Sequence, residues 1–348
     1  MCPLYTKEIS HDSIRGLLGS FVIFFHTIGN LFLYIIGDFL DYQTILWVGL
    51  SIPAIHVCLC IMVPESPSYL LKTGRIDEAR KVLAWLRCRN VKDQVVSQEL
   101  DAFKKELEAD EDITDAGMKQ IFKNKLLFRA YCIAMFVCIA REVCGAVPVL
   151  NFAGNIFAIS SEGTSLTLSP NQQAMMLGAV QVTGSILASS IVEKAGRKML
   201  FLISSLVSGA SMCALASWFL AKKYDVMGPA WLPIVTLCVC IFCDAAGTLP
   251  VCVILATELF SYKYRGTVVA SVLAVATLVD FFEVLLFKPM TSQFGESAVF
   301  FFFGGLSLLS ALYALLQVPE TKNRSLRQIY QRLKNKKEIA ETEILEIL

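Results

Sequence analysis

Long apolar runs separated by short charged blocks constrain this chain more than any other feature. A bilayer core about 30 Å thick takes roughly 20 apolar residues at 1.5 Å rise each. Eight stretches reach or approach that length: 17–37, 44–63, 128–156, 172–192, 200–220, 230–257, 267–288 and 298–317. In lipid a backbone satisfies its polar groups only within a helix or a closed barrel, and runs of this length predict helices. Charged residues make up 18% of the chain, well under the roughly 25% of a soluble domain. Small residues such as Gly178, Gly184, Ser185, Ala188 and Ser189 recur inside the runs, where they let transmembrane helices approach closely. The 12 cysteines are scattered, many within apolar runs, and none has zinc-type spacing or a disulfide framework.

Lys and Arg fall almost entirely in five segments: 1–16, 64–127, 193–198, 258–266 and the tail after Pro319. The intervening loops carry Asp38, Asp41, Glu162 and Glu296, with only Lys222 and Lys223 as lysines. Positive charge collects on the cytoplasmic side, so both termini and the 64–127 block are expected there. Within that block, residues 76–86 place Val82, Leu83 and Leu86 on one face of an amphipathic helix, and 95–111 follows a similar pattern. Short packed helices are expected there rather than a solvated linker.

A unit recurs. Glu8 and Glu258 are each followed, six residues on, by Arg-Gly (Arg15-Gly16 and Arg265-Gly266) and an apolar run. Two spans after each comes a Pro-Glu motif, Pro64-Glu65 and Pro319-Glu320. Repeated halves are a signature of secondary transporters, whose sites lie where the halves meet. Four spans lie between the 64–127 block and the second Glu…Arg-Gly motif, and none precedes the first. By symmetry, four spans are expected to be missing ahead of Met1.

These motifs carry a resemblance. Pro3, Tyr5, Glu8, Ile9, Arg15 and Gly16, the Pro-Glu-Ser-Pro motif at 64–70, Glu193-Lys194 with Gly196-Arg197-Lys198, and Pro319 to Lys322 with Ser325 and Leu326 together resemble the sugar-porter family of the major facilitator superfamily. Residues 165–170 and 180–182 look most like insect facilitated trehalose transporters. The resemblance implies an all-α transmembrane protein with a partial major facilitator fold, about eight of twelve helices. It would comprise two spans of an N-terminal half (1–63), a cytoplasmic helical linker (64–127), a C-terminal six-helix half (128–318) and a cytoplasmic tail (319–348). It also implies facilitative passage of trehalose or a hexose across the cell membrane by alternating access. A truncated or degenerate relative that does not transport, or a sugar sensor, is the rival. The implied partners are a small-molecule sugar and membrane lipid, with no nucleic acid. No nucleophile–base pair, metal-ligand spacing or phosphate loop occurs, so no enzyme activity, cofactor or metal is expected.

Two groups of candidate residues follow. Glu8, Arg15, Glu65, Gly196, Arg197, Glu258, Arg265 and Glu320 are the implied cytoplasmic gate. Arg forks onto carboxylates bidentately, so Glu–Arg clusters joining two half-bundles can close and release an inner mouth. The alternative is charge that snorkels at helix ends and contributes little. The substrate candidates are Gln181, Asp244, Arg141 and Glu142. Where the family pattern reads Gln-Gln-x-x-Gly-x-Asn, this chain has Arg141-Glu142-Val143-Cys144-Gly145-Ala146-Val147, and Cys252 stands at the position of a family Trp. A buried Arg or Glu in a span is expensive unless paired or facing water. Arg141 and Glu142 therefore either line a polar cavity or lie near an interface. With two Gln, an Asn and a Trp replaced, and with four spans expected to be missing, this chain on its own is expected not to move sugar. Asp280 and Glu283, three apart on one helix face, mark a weaker proton-linked alternative. His26 and His56 read as structural.

Overall fold

A computed structural model describes residues 5, 9, 15–111, 118–161, 169–226, 228–260, 262–322, 324 and 326–333. In chain order the helices are α1 (Arg15–Phe39), α2 (Tyr42–Ile61), α3 (Pro67–Lys72), α4 (Ile76–Leu86), α5 (Gln94–Glu111), α6 (Met118–Lys123), α7 (Lys125–Glu142), α8 (Ala146–Ser161), α9 (Pro170–Ala195), α10 (Arg197–Lys223) and α11 (Leu232–Cys243). A π-helical turn (Asp244–Thr248) then leads to α12 (Leu249–Glu258), α13 (Tyr262–Phe294), α14 (Glu296–Gln317) and α15 (Leu326–Leu333). Seven helical segments among the described residues are long and apolar enough to cross a membrane. The remaining expected span, 172–192, falls within α9, a 26-residue helix. The protein is therefore an all-helical, multi-pass membrane protein.

The chain divides into two compact units, one of Met1–Val22 with Phe39–Ala116 and one of Ile23–Asp38 with Gly117–Leu348. In the first, α2 has no buried residue; it is apolar on every face, as a lipid-facing helix is. The Pro-Glu-Ser-Pro motif has a local role. Ser66 caps α3 by accepting from the Tyr69 N–H, and Pro67 takes the first helical position, where a missing N–H does no harm. Tyr5 Oη donates to the Pro64 carbonyl at 2.7 Å. Helices α4 and α5 form as expected. Leu83 and Ala79 of α4 bury against Leu70, Val96 and Leu100, and Arg87 grips Glu99 through Nε and Nη2 at 3.0 and 2.6 Å.

The second unit has two apolar layers. Ile133, Val137, Leu255, Phe260, Val268 and Val272 belong to one; Val149, Phe157, Met212, Leu215, Phe300 and Phe303 belong to the other. Helices α10 and α14 pack along most of their length. A Cβ at Gly304 would lie 3.1 Å from the Gly209 carbonyl oxygen, so small residues set that close approach.

Candidate functional site

Between the two apolar layers lies a charged one. The segment Lys125–Ser160 is long enough to span, but it breaks between α7 and α8, where Gly145 takes φ +85°. A side chain there would be strained by that backbone and would also put a Cβ 2.9 Å from the Phe303 ring. The break leaves Arg141 and Glu142 in the last turn of α7, at the middle of the span, with side chains only 11% and 8% exposed. They do not lie near an interface, and they are held in ion pairs instead of lining the cavity described below.

Asp244 is fully buried at the middle of the segment Leu232–Glu258. It opens the π-helical turn, in which the Leu249 N–H reaches back to the Asp244 carbonyl. Pro250 follows; its missing N–H leaves the preceding turn short of an α-helical donor, which favours the shifted register. Arg141 Nε donates to Asp244 Oδ1 at 3.1 Å and Nη2 to Oδ2 at 3.3 Å, a two-pronged contact that fits a planar guanidinium. Arg141 Nη1 donates to the Glu142 carboxylate. Sequence neighbours point about 100° apart on a helix, yet these two pair, because one guanidinium bridges both carboxylates. Thr248 Oγ1 donates to Asp244 Oδ1 at 2.8 Å. Asp280 is an electrostatic neighbour of Glu142, and Glu283 is an electrostatic neighbour of both. His26 of α1 is a neighbour of Arg141 and Asp244.

Gln181 is 1% exposed and lies in a polar seam between α1 and α9. Asn30 Nδ2 donates to its Oε1 at 3.2 Å. Thr27 and Ser185 share a hydrogen bond at 2.9 Å, and Asn171 Nδ2 donates to Asp38 at 3.1 Å. Tyr34 donates to the Leu150 carbonyl. Gly178 makes the seam close, since a Cβ there would lie 3.2 Å from the Leu31 Cα.

A second cluster forms at helix ends. The Glu320 carboxylate accepts from the backbone N–H groups of Arg197 (3.0 Å) and Lys198 (3.2 Å), so an acid from beyond α14 caps the N-terminus of α10. That is favourable for both the orphan donors and the helix dipole. Gly196 has φ +82°, and a Cβ on it would lie 2.6 Å from a Glu320 oxygen; glycine is needed there twice over. The Arg197 side chain reaches Glu258 Oε1 at 2.8 Å, and Thr321 Oγ1 donates to Glu258 Oε2 at 2.6 Å. Arg265 Nε donates to the Thr257 carbonyl at 2.8 Å. The structure thus brings Gly196, Arg197, Glu258 and Glu320 together, all within the second unit. Glu65 is exposed, in the first unit. Glu8, and the side chain of Arg15, lie outside the described residues.

Sequence reasoning missed Thr248 and Asn30, took Thr321 only as part of the Pro-Glu motif and read His26 as structural. Only Thr248 carried a local signal, being four residues after Asp244 and so on its helix face; the others meet their partners across helices. A separate cavity of about 340 Å³ is lined by Phe152, Phe219, Phe287, Lys288, Glu296 and Phe300 among others. None of the four substrate candidates lines it.

Residues 1–333 match the sequence family described as "Sugar (and other) transporter". The chain belongs to this family. The sugar-transporter family is one of carriers rather than enzymes. The chain is 27% identical over 332 residues to the facilitated trehalose transporter Tret1 of Apis mellifera ligustica, covering 95% of this chain and 64% of that protein. The Bombyx mori Tret1 gives 27% over 333 residues with the same shares. The chain therefore spans under two thirds of the length of these curated relatives. Among solved structures it resembles the major facilitator proton:xylose symporter XylE bound to 6-bromo-6-deoxy-D-glucose. The TM-score is 0.74 at 24% identity, covering 95% of this chain and 70% of that one. An inward-open XylE from E. coli gives 0.71 at 23%, covering 96% and 69%. At these identities the likeness establishes the fold, a partial major facilitator fold.

Proposed function

We propose that the chain serves facilitative movement of a sugar, trehalose or a hexose, across the cell membrane, as part of a carrier working by alternating access. Both termini lie in the cytoplasm in this reading. The observation that carries it is the network of Arg197, Glu258, Thr321 and Glu320, which ties the start of α10 to the ends of α12 and α14. The network lies within one unit; in this reading it braces that half in one state of the cycle and is broken in the other, as alternating access needs. Glu8, Arg15, Glu65 and Arg265 take the corresponding gate positions. Gln181, Asp244, Arg141 and Glu142 border the sugar path at mid-membrane.

One observation favours a second reading, a relative that binds or senses sugar without moving it. Arg141 commits Nε, Nη1 and Nη2 to carboxylates, so donors that would recognise hydroxyl groups are already engaged. Uptake of labelled trehalose and glucose separates the two. The full-length protein would be expressed in a host without its own carriers, with surface delivery confirmed. Saturable uptake that falls in Arg197→Ala supports the gated carrier. Uptake no higher than the host's supports the second reading.

A further inference from the structure

One guanidinium faces four carboxyl groups in the charged layer. Asp244 is fully satisfied, by Arg141 and Thr248, and Glu142 holds a third N–H of Arg141. No cation among the described residues is paired with Asp280 or Glu283. Asp280 Oδ1 and both carboxyl oxygens of Glu283 are out of contact with solvent and have no hydrogen-bond partner. Glu283 faces the backbone N–H of Gly145, at the break before α8, without closing a hydrogen bond to it. The other titratable neighbours are His26 of α1 and the thiols of Cys144, Cys240, Cys243 and Cys252. Lys288, one turn and a residue beyond Glu283, is held over the Phe152 ring, 5.3 Å from its centroid.

A bare carboxylate with empty acceptors in a membrane interior is costly, whereas a neutral acid is not. Glu142, Asp280 and Glu283 are also electrostatic neighbours of one another, and like charges gathered in such a setting resist full ionisation. We infer that Glu142, Asp280 and Glu283 together form a proton-binding site at mid-membrane, which takes up a proton and exchanges it with water whenever the site becomes wet. Each exchange moves one proton between a water molecule and a carboxylate oxygen and changes the charge of the layer by one. Arg141 links this site to Asp244 on another helix, so the charge on Glu142 acts directly on the contact between α7 and the π-helical turn. The site is separate from the gate motifs, and it stands whether or not the chain carries sugar.

Infrared spectroscopy of the whole protein in lipid nanodiscs tests this. The C=O stretch of a protonated carboxyl group in a dry setting is resolved from the carboxylate bands, and surface acids do not contribute to it at neutral pH. The band is expected in the wild type at neutral pH, to shift on exchange into D2O, to weaken in Glu283→Gln, and to weaken further when Asp280→Asn is added. Absence of the band from the wild type at neutral pH would overturn the site, even if the variants failed to fold. A band of wild-type intensity in the folded double variant would overturn it as well.

Discussion

Among the described residues, Arg141 is the cation paired with the fully buried Asp244. Breaking a buried pair from one side leaves an uncompensated charge, at about 3–5 kcal/mol. Arg141→Met is therefore expected to lower the thermal midpoint in detergent by a margin of that order, and Asp244→Asn in the same background should recover part of it. A double variant no more stable than Arg141→Met would mean that the pair is not coupled. Gly196 rests on a different cause. Its φ of +82° and the Glu320 carboxylate 2.6 Å from a would-be Cβ make Gly196→Ala strained, by about 1–3 kcal/mol. Thermal unfolding should show that loss, and an unchanged midpoint would show that neither the positive φ nor the Glu320 contact requires glycine there.

Helix α15 is only eight residues long and holds to the second unit through Ile329, Leu333 and Tyr330, whose hydroxyl donates to the Leu259 carbonyl at 2.9 Å. Burial pushes the Tyr330 hydroxyl up from its ordinary 10.0 to about 12. The protonated form is the one the folded contact favours. Its contribution is present below pH 10, where folded and released forms are both protonated, and is lost as pH rises toward 12. Limited proteolysis at the tail should quicken across that window, and Tyr330→Phe should remove most of the change. A tail whose susceptibility is flat through the window in the wild type would show that Tyr330 does not hold it. The same contrast separates α2 from α9. Helix α2 buries no residue, whereas α9 keeps Gln181 and Ser185 inside by pairing them with α1.

For the molecule as a whole, the proposed orientation has a direct check. Lys and Arg outside the spans cluster in every second segment between spans, and the rule that such segments stay inside would put the 64–127 block in the cytoplasm with both termini. Protease added to sealed right-side-out vesicles should leave that block whole, and permeabilisation should expose it. Cleavage within it before permeabilisation would reverse the orientation.

The sequence by itself determined the class of protein: spans of membrane length, small residues at helix contacts, and motif residues placed at helix ends. It did so because span length, charge bias and capping are local properties, readable a few residues at a time. Ser66-Pro67 at the start of α3 and the amphipathic α4 are examples. The sequence also singled out Arg141, Glu142 and Asp244 as charges out of place in apolar runs. It could not say that Arg141 and Asp244, 103 residues apart, form one pair, nor that Glu142 pairs with its own neighbour. It could not show that Arg197, Glu258 and Glu320 meet within one unit rather than across two. Those outcomes depend on where a helix breaks at Gly145, where a π turn shifts the register by a residue, and how closely glycine contacts let neighbouring helices approach. Only the tertiary structure decides these, because a side chain's partner across a bundle is set by the packing of other helices and not by its own spacing along the chain.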